Sequence, residues 1–182
     1  MRREYRFSGF GGQGVLTVGK IFGQAAAVNG GYFCVQTQSY GPESRGGTSR
    51  SEVIVADREI NNPIIINTHV LVVMSQQAFD KYHEAVHSGG LVLYDSTLVK
   101  PGRMQEEKAK SKKIRLVGVP ASQTAQDEGA LITANIVLLG ALTGLEESVK
   151  MDDVKASVLA NVPPKTRSLN EKVFEMGAGL VG

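Results

Sequence analysis

Cysteine is nearly absent: the 182 residues contain one, Cys34. A single thiol excludes an internal disulfide. It also falls short of the roughly four cysteines that hold an iron–sulfur cluster. Cys34 lies in a strand-like run with no basic or histidine neighbour in sequence, so it reads as a small apolar residue rather than a nucleophile. Histidine is scarce too, at three residues. His83 and His87 have the spacing of one helix face, but no third ligand is suggested by spacing, so no metal site is expected. No apolar run reaches the roughly 18–20 residues that a membrane-spanning helix needs. The net charge is only +2, which points to neither nucleic acid nor a membrane surface. Met1-Arg2-Arg3-Glu4 leads directly into a strand pattern, so no signal peptide is expected and a cytoplasmic location is the default.

What is present is ordinary for a globular protein. Hydrophobic residues make up 42% and charged residues 21% of the chain. A chain of this length is expected to form one domain, spanning 1–182, with a full core. No internal repeat or low-complexity segment interrupts it.

The most informative short stretch is Ser8-Gly9-Phe10-Gly11-Gly12-Gln13-Gly14. It follows the apolar run Tyr5 to Phe7 and opens onto a helical pattern with Val15, Val18, Phe22 and Ala25 on one face. Strand, glycine-rich turn and helix is the layout of a phosphate or anion cradle, with free N–H groups at the helix start. Gly9, Gly11 and Gly14 fit G-x-G-x-x-G, with Gly12 as an extra glycine. Alone the pattern is weak, and it meets a test at the second strand, Tyr32 to Thr37. An NAD site wants an acidic residue near that strand's end for the ribose hydroxyls. The chain offers Gln36 and Gln38, so an ordinary NAD site is not expected.

The loop from Gln38 to Ser49 has neither helical nor strand period. Long loops of this kind inside compact domains are usually functional. Ser39, Tyr40, Gly41, Pro42, Glu43, Arg45, Gly46 and Gly47 combine an aromatic ring, a stiff proline, a carboxylate and a guanidinium. That mixture suits subunit docking better than direct ligand contact. Glu52 to Ala56 reads as a third strand and Asp57-Arg58 as a tight turn. Glu59 to Ile66 is expected to return as an antiparallel partner. With no crossover helix there, the sheet should be mixed rather than purely parallel.

Further on, Leu71 to Met74 reads as a buried strand, and Ser75 to His87 as a helix stopped by Ser88-Gly89-Gly90. Leu91 to Tyr94 is the next strand, with Asp95-Ser96 just past its end. Those two residues stand either where open α/β sheets bind ligands or as ordinary caps. Lys100 to Lys113 is charged with mixed sign and reads as a solvated loop and short helix, a poor nucleic-acid patch. Ile114 to Val119 is the last strand. Leu131 to Leu142 is a helix apolar nearly all round, hence buried on more than one side, within the chain or against another subunit. Asp152 or Asp153 is expected to cap a helix through about Val162, which Pro163-Pro164 breaks. Ser168-x-x-Glu171 is a capping box for a final helix bearing Leu169, Val173 and Met176. The alternation of strands and helices gives an α/β fold: a Rossmann-like, open three-layer sandwich with a mostly parallel, mixed sheet.

Gly9-Phe10-Gly11-Gly12-Gln13-Gly14 together with Gln36-Thr37-Gln38-Ser39-Tyr40-Gly41-Pro42-Glu43-Ser44-Arg45-Gly46-Gly47 resembles the gamma subunit of 2-oxoacid:ferredoxin oxidoreductases. Ser51-Glu52-Val53-Ile54 and Ser75-Gln76-Gln77-Ala78 also fit. The longer block is most similar to the 2-oxoglutarate type, with the branched-chain and pyruvate types as alternatives; indolepyruvate-type proteins carry a similar domain. The resemblance implies a complex that oxidatively decarboxylates a 2-oxoacid to acyl-CoA, CO2 and reduced ferredoxin. It implies thiamine diphosphate, Mg and iron–sulfur clusters, held with alpha, beta and ferredoxin-like delta subunits, plus coenzyme A and ferredoxin. The gamma chain is then expected to be non-catalytic by itself and to serve assembly. Gly9, Gly11, Gly12, Gln13 and Gly14 either cradle a coenzyme A diphosphate or only allow close packing on a partner. A stand-alone dinucleotide-binding oxidoreductase and a ligand-free assembly module are the competing readings.

Overall fold

The computed structural model describes residues 1–39 and 48–182. Among the described residues six strands form a single sheet: β1 Arg2–Phe10, β2 Phe33–Ser39, β3 Thr48–Ala56, β4 Thr68–Val73, β5 Val86–Asp95 and β6 Arg115–Val119. Their spatial order is β2-β3-β1-β4-β5-β6. β3 runs antiparallel to both β1 and β2, while β1, β4, β5 and β6 are parallel neighbours. The expected mixed, mostly parallel α/β sheet is therefore found.

The helices are α1 Val15–Gln24, α2 Gln76–Tyr82, α3 Arg103–Ser111, α4 Ala121–Asp127, α5 Ala134–Leu145, α6 Met151–Asn161 and α7 Arg167–Gly179. From β1 the chain crosses through α1 toward one edge; from β4 it crosses through α2 and α3 toward the other. Crossovers of one hand that travel in opposite directions put their helices on opposite faces. Tyr5, Phe7, Val53, Val70, Val72 and Leu93 accordingly pack with α1 and α4–α7. Leu71, Val73 and Val92 pack with α2 and α3 on the other face. Within the larger cluster Phe22 of α1 meets the Tyr5 ring at 4.6 Å.

α5 is the most buried helix, with every residue from Ala134 to Thr143 inside. α7 crosses it at backbone contact. A methyl placed on Gly140 would lie 1.9 Å from the Phe174 carbonyl oxygen, and one on Gly177 would lie 2.0 Å from that of Val137. The covering of α5 on more than one side therefore comes from α4, α6, α7 and the sheet of this same chain.

Several local expectations are corrected. Glu59 to Ile66 forms no return strand; β3 finds both its partners in β1 and β2. The segment is instead strapped to β1. Arg2 donates to the carbonyls of Asn62 and Ile64, each at 3.0 Å. Buried Glu4 accepts from the Ile66 and Asn67 N–H groups at 2.9 and 2.7 Å. Side chains of β1 thus satisfy backbone groups that a ladder would otherwise use, and Pro63 has no donor for a ladder. The first helix is α-helical only to Gln24 and finishes in a π turn, Ala25–Asn29. α2 ends at Tyr82, and Ser88 to Gly90 belong to β5 rather than to a helix stop. His83 and His87 therefore share no helix face; His87 stacks on His69 of β4 at 5.5 Å. Asp152 and Asp153 sit in the first turn of α6, where they favour the helix dipole, while Lys150 holds the cap position. The final helix starts at Arg167 with Thr166 at its cap, so Ser168 and Glu171 lie inside it and form no capping box.

Candidate functional site

The connection from β1 leaves the sheet in one direction and that from β4 in the other. The carboxyl ends of β1 and β4 are thus a topological switch point, where open α/β sheets form ligand crevices. A cleft of about 450 Å³ lies there. Gly12 and Gln13 line it after β1, Met74 after β4, and Thr97 and Leu98 after β5. Ser122 and Gln126 of α4 and Asn135 of α5 close its side, and Leu131 and Ile132 stand at its edge.

The expected glycine loop is at this cleft, and its geometry has identifiable internal causes. Gln13 bridges the switch point: its Nε2 donates to the Met74 carbonyl at 2.8 Å, and its Oε1 accepts from the Phe10 N–H at 2.7 Å. A methyl on Gly9 would lie 2.5 Å from that same Oε1, so Gly9 makes room for the bridge. Gly12 and Gly14 take left-handed backbone conformations, φ 94° and 72°, which side-chain-bearing residues adopt at a cost. Gly14 also abuts Asn135, whose Nδ2 would be 2.2 Å from an added methyl. A methyl on Gly11 would make only an ordinary contact, 3.9 Å from the Ser49 hydroxyl. The four other residues of the motif thus have a packing or backbone reason within the chain itself. α1 begins at Gly14 without a side-chain cap, so its first N–H groups are left to other partners.

Asp95, weighed in the sequence as ligand contact or cap, serves as a cap. Its carboxylate is fully buried and accepts from the Thr97 N–H at 3.0 Å, from the Ser122 N–H at 3.1 Å and from the Ser122 hydroxyl. It ties the end of β5 to the first turn of α4, and so fixes two walls of the cleft.

Among the described residues, none of those lining the cleft is charged. Its polar groups are the amides of Gln13, Gln126 and Asn135 and the hydroxyls of Thr97 and Ser122. At its mouth Leu98, Leu131 and Ile132 are 45%, 56% and 82% exposed. Neighbouring aliphatic side chains left in water mark a contact surface more often than a solvent face. The sequence expectation that Leu131 and Ile132 belong to the buried apolar helix is corrected here: they form a short 3-10 turn, Leu131–Thr133, ahead of α5, and their side chains face outward.

Of the residues expected to dock a partner, Ser39 is the last residue of β2 and is half-buried. Tyr40, Gly41, Pro42, Glu43, Arg45, Gly46 and Gly47 lie outside the described residues. Cys34 is half-buried, and burial pushes its thiol up to about 11, in keeping with an unreactive role. Among the described residues no three His, Cys, Asp or Glu side chains stand together as a metal-ligand set. Among the described residues no helix is long and apolar enough to cross a membrane.

Comparison with known proteins agrees with this architecture. 2-Oxoglutarate synthase subunit KorC of Methanocaldococcus jannaschii is 45% identical over 178 residues, covering 97% of this chain and 92% of that protein. The KorC subunit of Methanothermobacter marburgensis is 39% identical over 182 residues, covering 100% and 97%. Among solved structures, the gamma subunit of a keto/oxoacid ferredoxin oxidoreductase from Geobacter sulfurreducens superposes with a TM-score of 0.85 at 36% identity, covering 100% of this chain and 97% of that one. The profile of the pyruvate ferredoxin/flavodoxin oxidoreductase family matches residues 4–180, and the chain belongs to that family.

Proposed function

We propose that this chain is the gamma subunit of a 2-oxoglutarate:ferredoxin oxidoreductase. The complex would convert 2-oxoglutarate and coenzyme A to succinyl-CoA, CO2 and reduced ferredoxin. The observation that carries the reading is the 45% identity to a 2-oxoglutarate synthase subunit across nearly the full length of both chains. Thiamine diphosphate, Mg and the iron–sulfur clusters are assigned to the alpha, beta and delta partners.

Within the complex this chain's work is docking. The uncharged cleft and its rim of Leu98, Leu131 and Ile132 suit burial against a partner's apolar side chains, since desolvating them costs no charge. Gln13, Gly14 and Asp95 hold the cleft's walls in fixed positions, so the surface is formed before the partner arrives. Residues 39–47 are assigned to the same docking role from their composition.

A second reading assigns coenzyme A contact to Gly9, Gly11, Gly12, Gln13 and Gly14. One observation favours it: α1 starts beside this loop without a side-chain cap, and uncapped helix starts favour anions. Among the described residues no cationic side chain lines the cleft, so those residues contribute to anion binding only through backbone dipoles.

Purification of an affinity-tagged copy of the chain from its native cells tests the proposal. Co-purification of a thiamine diphosphate-dependent chain and an iron–sulfur chain is expected. Isolation of the chain alone, together with saturable NAD(H) binding, would instead establish the stand-alone dinucleotide enzyme. Ile132→Asp is expected to weaken assembly without loss of fold, because Ile132 is exposed in the isolated chain.

A further inference from the structure

A second cluster lies on the α2 face of the sheet, opposite α1. Arg6 of β1, Arg50 of β3 and Lys81 of α2 converge on Tyr82, the last residue of α2. The Arg6 guanidinium sits 5.0 Å and the Lys81 ammonium 5.3 Å from the Tyr82 ring centre. Glu52 is the carboxylate paired with this group, and it is committed to Arg6 at 2.8 and 2.7 Å. Arg50 Nε lies 3.6 Å from the same Glu52 oxygen, beyond a hydrogen bond, and is buried with no acceptor among the described residues. Among the described residues, Lys81 Nζ reaches only the Thr48 hydroxyl, at 3.3 Å.

Among the described residues, three cations thus share one carboxylate. Like charges held this close repel one another, and a buried guanidinium N–H without an acceptor costs further free energy. The hydroxyls of Thr48 and Tyr82 add two neutral donors beside the uncompensated charges. Burial alone would raise the Tyr82 phenol. Hydrogen bonding from Arg50, the charges of Lys81 and Arg50, and Thr48 outweigh it and lower the phenol below its ordinary value. The local potential is therefore positive where the phenol oxygen lies.

We propose that Arg50, Lys81, Thr48 and Tyr82 form a site for an oxyanion, the phosphate or carboxylate group of a soluble molecule or of a partner chain. Arg50 supplies a directional N–H donor, Lys81 a point charge open to solvent, and the two hydroxyls the remaining donors. The site is separate from the uncharged cleft, and it stands whether or not that cleft docks a partner.

The test is titration of the full chain with inorganic phosphate, read by the ultraviolet absorbance of tyrosinate and by the Arg50 Nε–H resonance. Saturable binding is expected, with an upward shift of the Tyr82 titration as the anion offsets the local positive charge. Arg50→Gln and Lys81→Gln should each weaken it about tenfold or more, since each removes a charge-assisted contact. Lys81 is exposed, so its replacement leaves the fold intact and keeps the test decisive if Arg50→Gln is unstable. In the purified complex, phosphate that still binds identifies a soluble ligand. Phosphate excluded there, with Lys81→Gln weakening assembly, identifies a partner's carboxylate. Absence of saturable binding to the chain, or binding unchanged in both variants, overturns the proposal. So does binding that emerges only in Glu43→Gln, because the cations would then be compensated within the chain.

Discussion

Replacement of Gln13 separates a structural clamp from a ligand contact at the glycine loop. Gln13→Ala removes a hydrogen bond to the Met74 carbonyl and one from the Phe10 N–H. At about 1 kcal/mol net for each hydrogen bond, the loss is about 2 kcal/mol. For a chain of this size that lowers Tm by about 4–8 °C. Gln13→Glu sharpens the test. It keeps an oxygen for the Phe10 N–H but sets a carboxylate oxygen against the Met74 carbonyl oxygen, 2.8 Å from the present donor. Glu is therefore expected to cost more than Ala at neutral pH, and its excess cost should shrink in acid, where a protonated Glu can donate again. Urea unfolding of the isolated chain at neutral and acidic pH measures both effects. Wild-type stability in Gln13→Ala, or a Glu variant no worse than Ala, would refute the clamp and return Gln13 to ligand binding.

Three further outcomes are expected. Gly140→Ala should destabilise the chain by about 2 kcal/mol in chemical denaturation: helix propensity gains about 1 kcal/mol, but the added methyl meets the Phe174 carbonyl oxygen 1.9 Å away, an overpacking cost of about 3 kcal/mol. Asp95→Ala should cost about 3 kcal/mol or more, because the Thr97 N–H, the Ser122 N–H and the Ser122 hydroxyl lose their acceptor together; exchange of the α4 amides should rise first. His69 is held below the ordinary histidine value, by burial first and then by the Arg3 charge, and its Nδ1 accepts from the Glu4 N–H at 3.2 Å. Folding therefore favours the neutral ring, so its contribution is complete above pH ~6.5 and is lost as pH falls through the lowered folded value. His69→Asn should flatten that part of the stability–pH curve.

Much of the fold was legible because its strands are short apolar runs and its crossovers have helical period. The glycine stretch was placed correctly at the mouth of the first crossover, and the lack of a crossover helix near β3 gave the mixed sheet, though not the antiparallel pairing of β3 with β1 and β2. Polar strand ends were less visible. Thr48-Ser49-Arg50-Ser51 resembles loop by composition, yet it pairs with β1 and β2 because ladder hydrogen bonds are indifferent to side chains. The same indifference hid Val86 to Gly90, where glycines that resemble a helix stop belong to a strand. Glu59 to Ile66 misled in the opposite direction, since its isoleucines suggested a strand while Arg2 and Glu4, some sixty residues away, tie down its backbone. The cleft's apolar rim and the cluster around Tyr82 were out of reach for a similar reason. The rim brings Leu98 to Leu131 and Ile132, and the cluster joins residues of β1, β3 and α2; no local spacing records either meeting.

The chain's place in a 2-oxoglutarate-oxidising complex can be tested directly. The direct measurement is coenzyme A-dependent reduction of a low-potential dye by the complex purified through this chain. 2-Oxoglutarate, pyruvate, branched-chain 2-oxoacids and indolepyruvate should be compared at equal concentration. The highest kcat/KM is expected for 2-oxoglutarate, with activity lost when this chain is stripped from the complex and regained when it is restored. A preference for another 2-oxoacid, or full activity without this chain, would contradict the account.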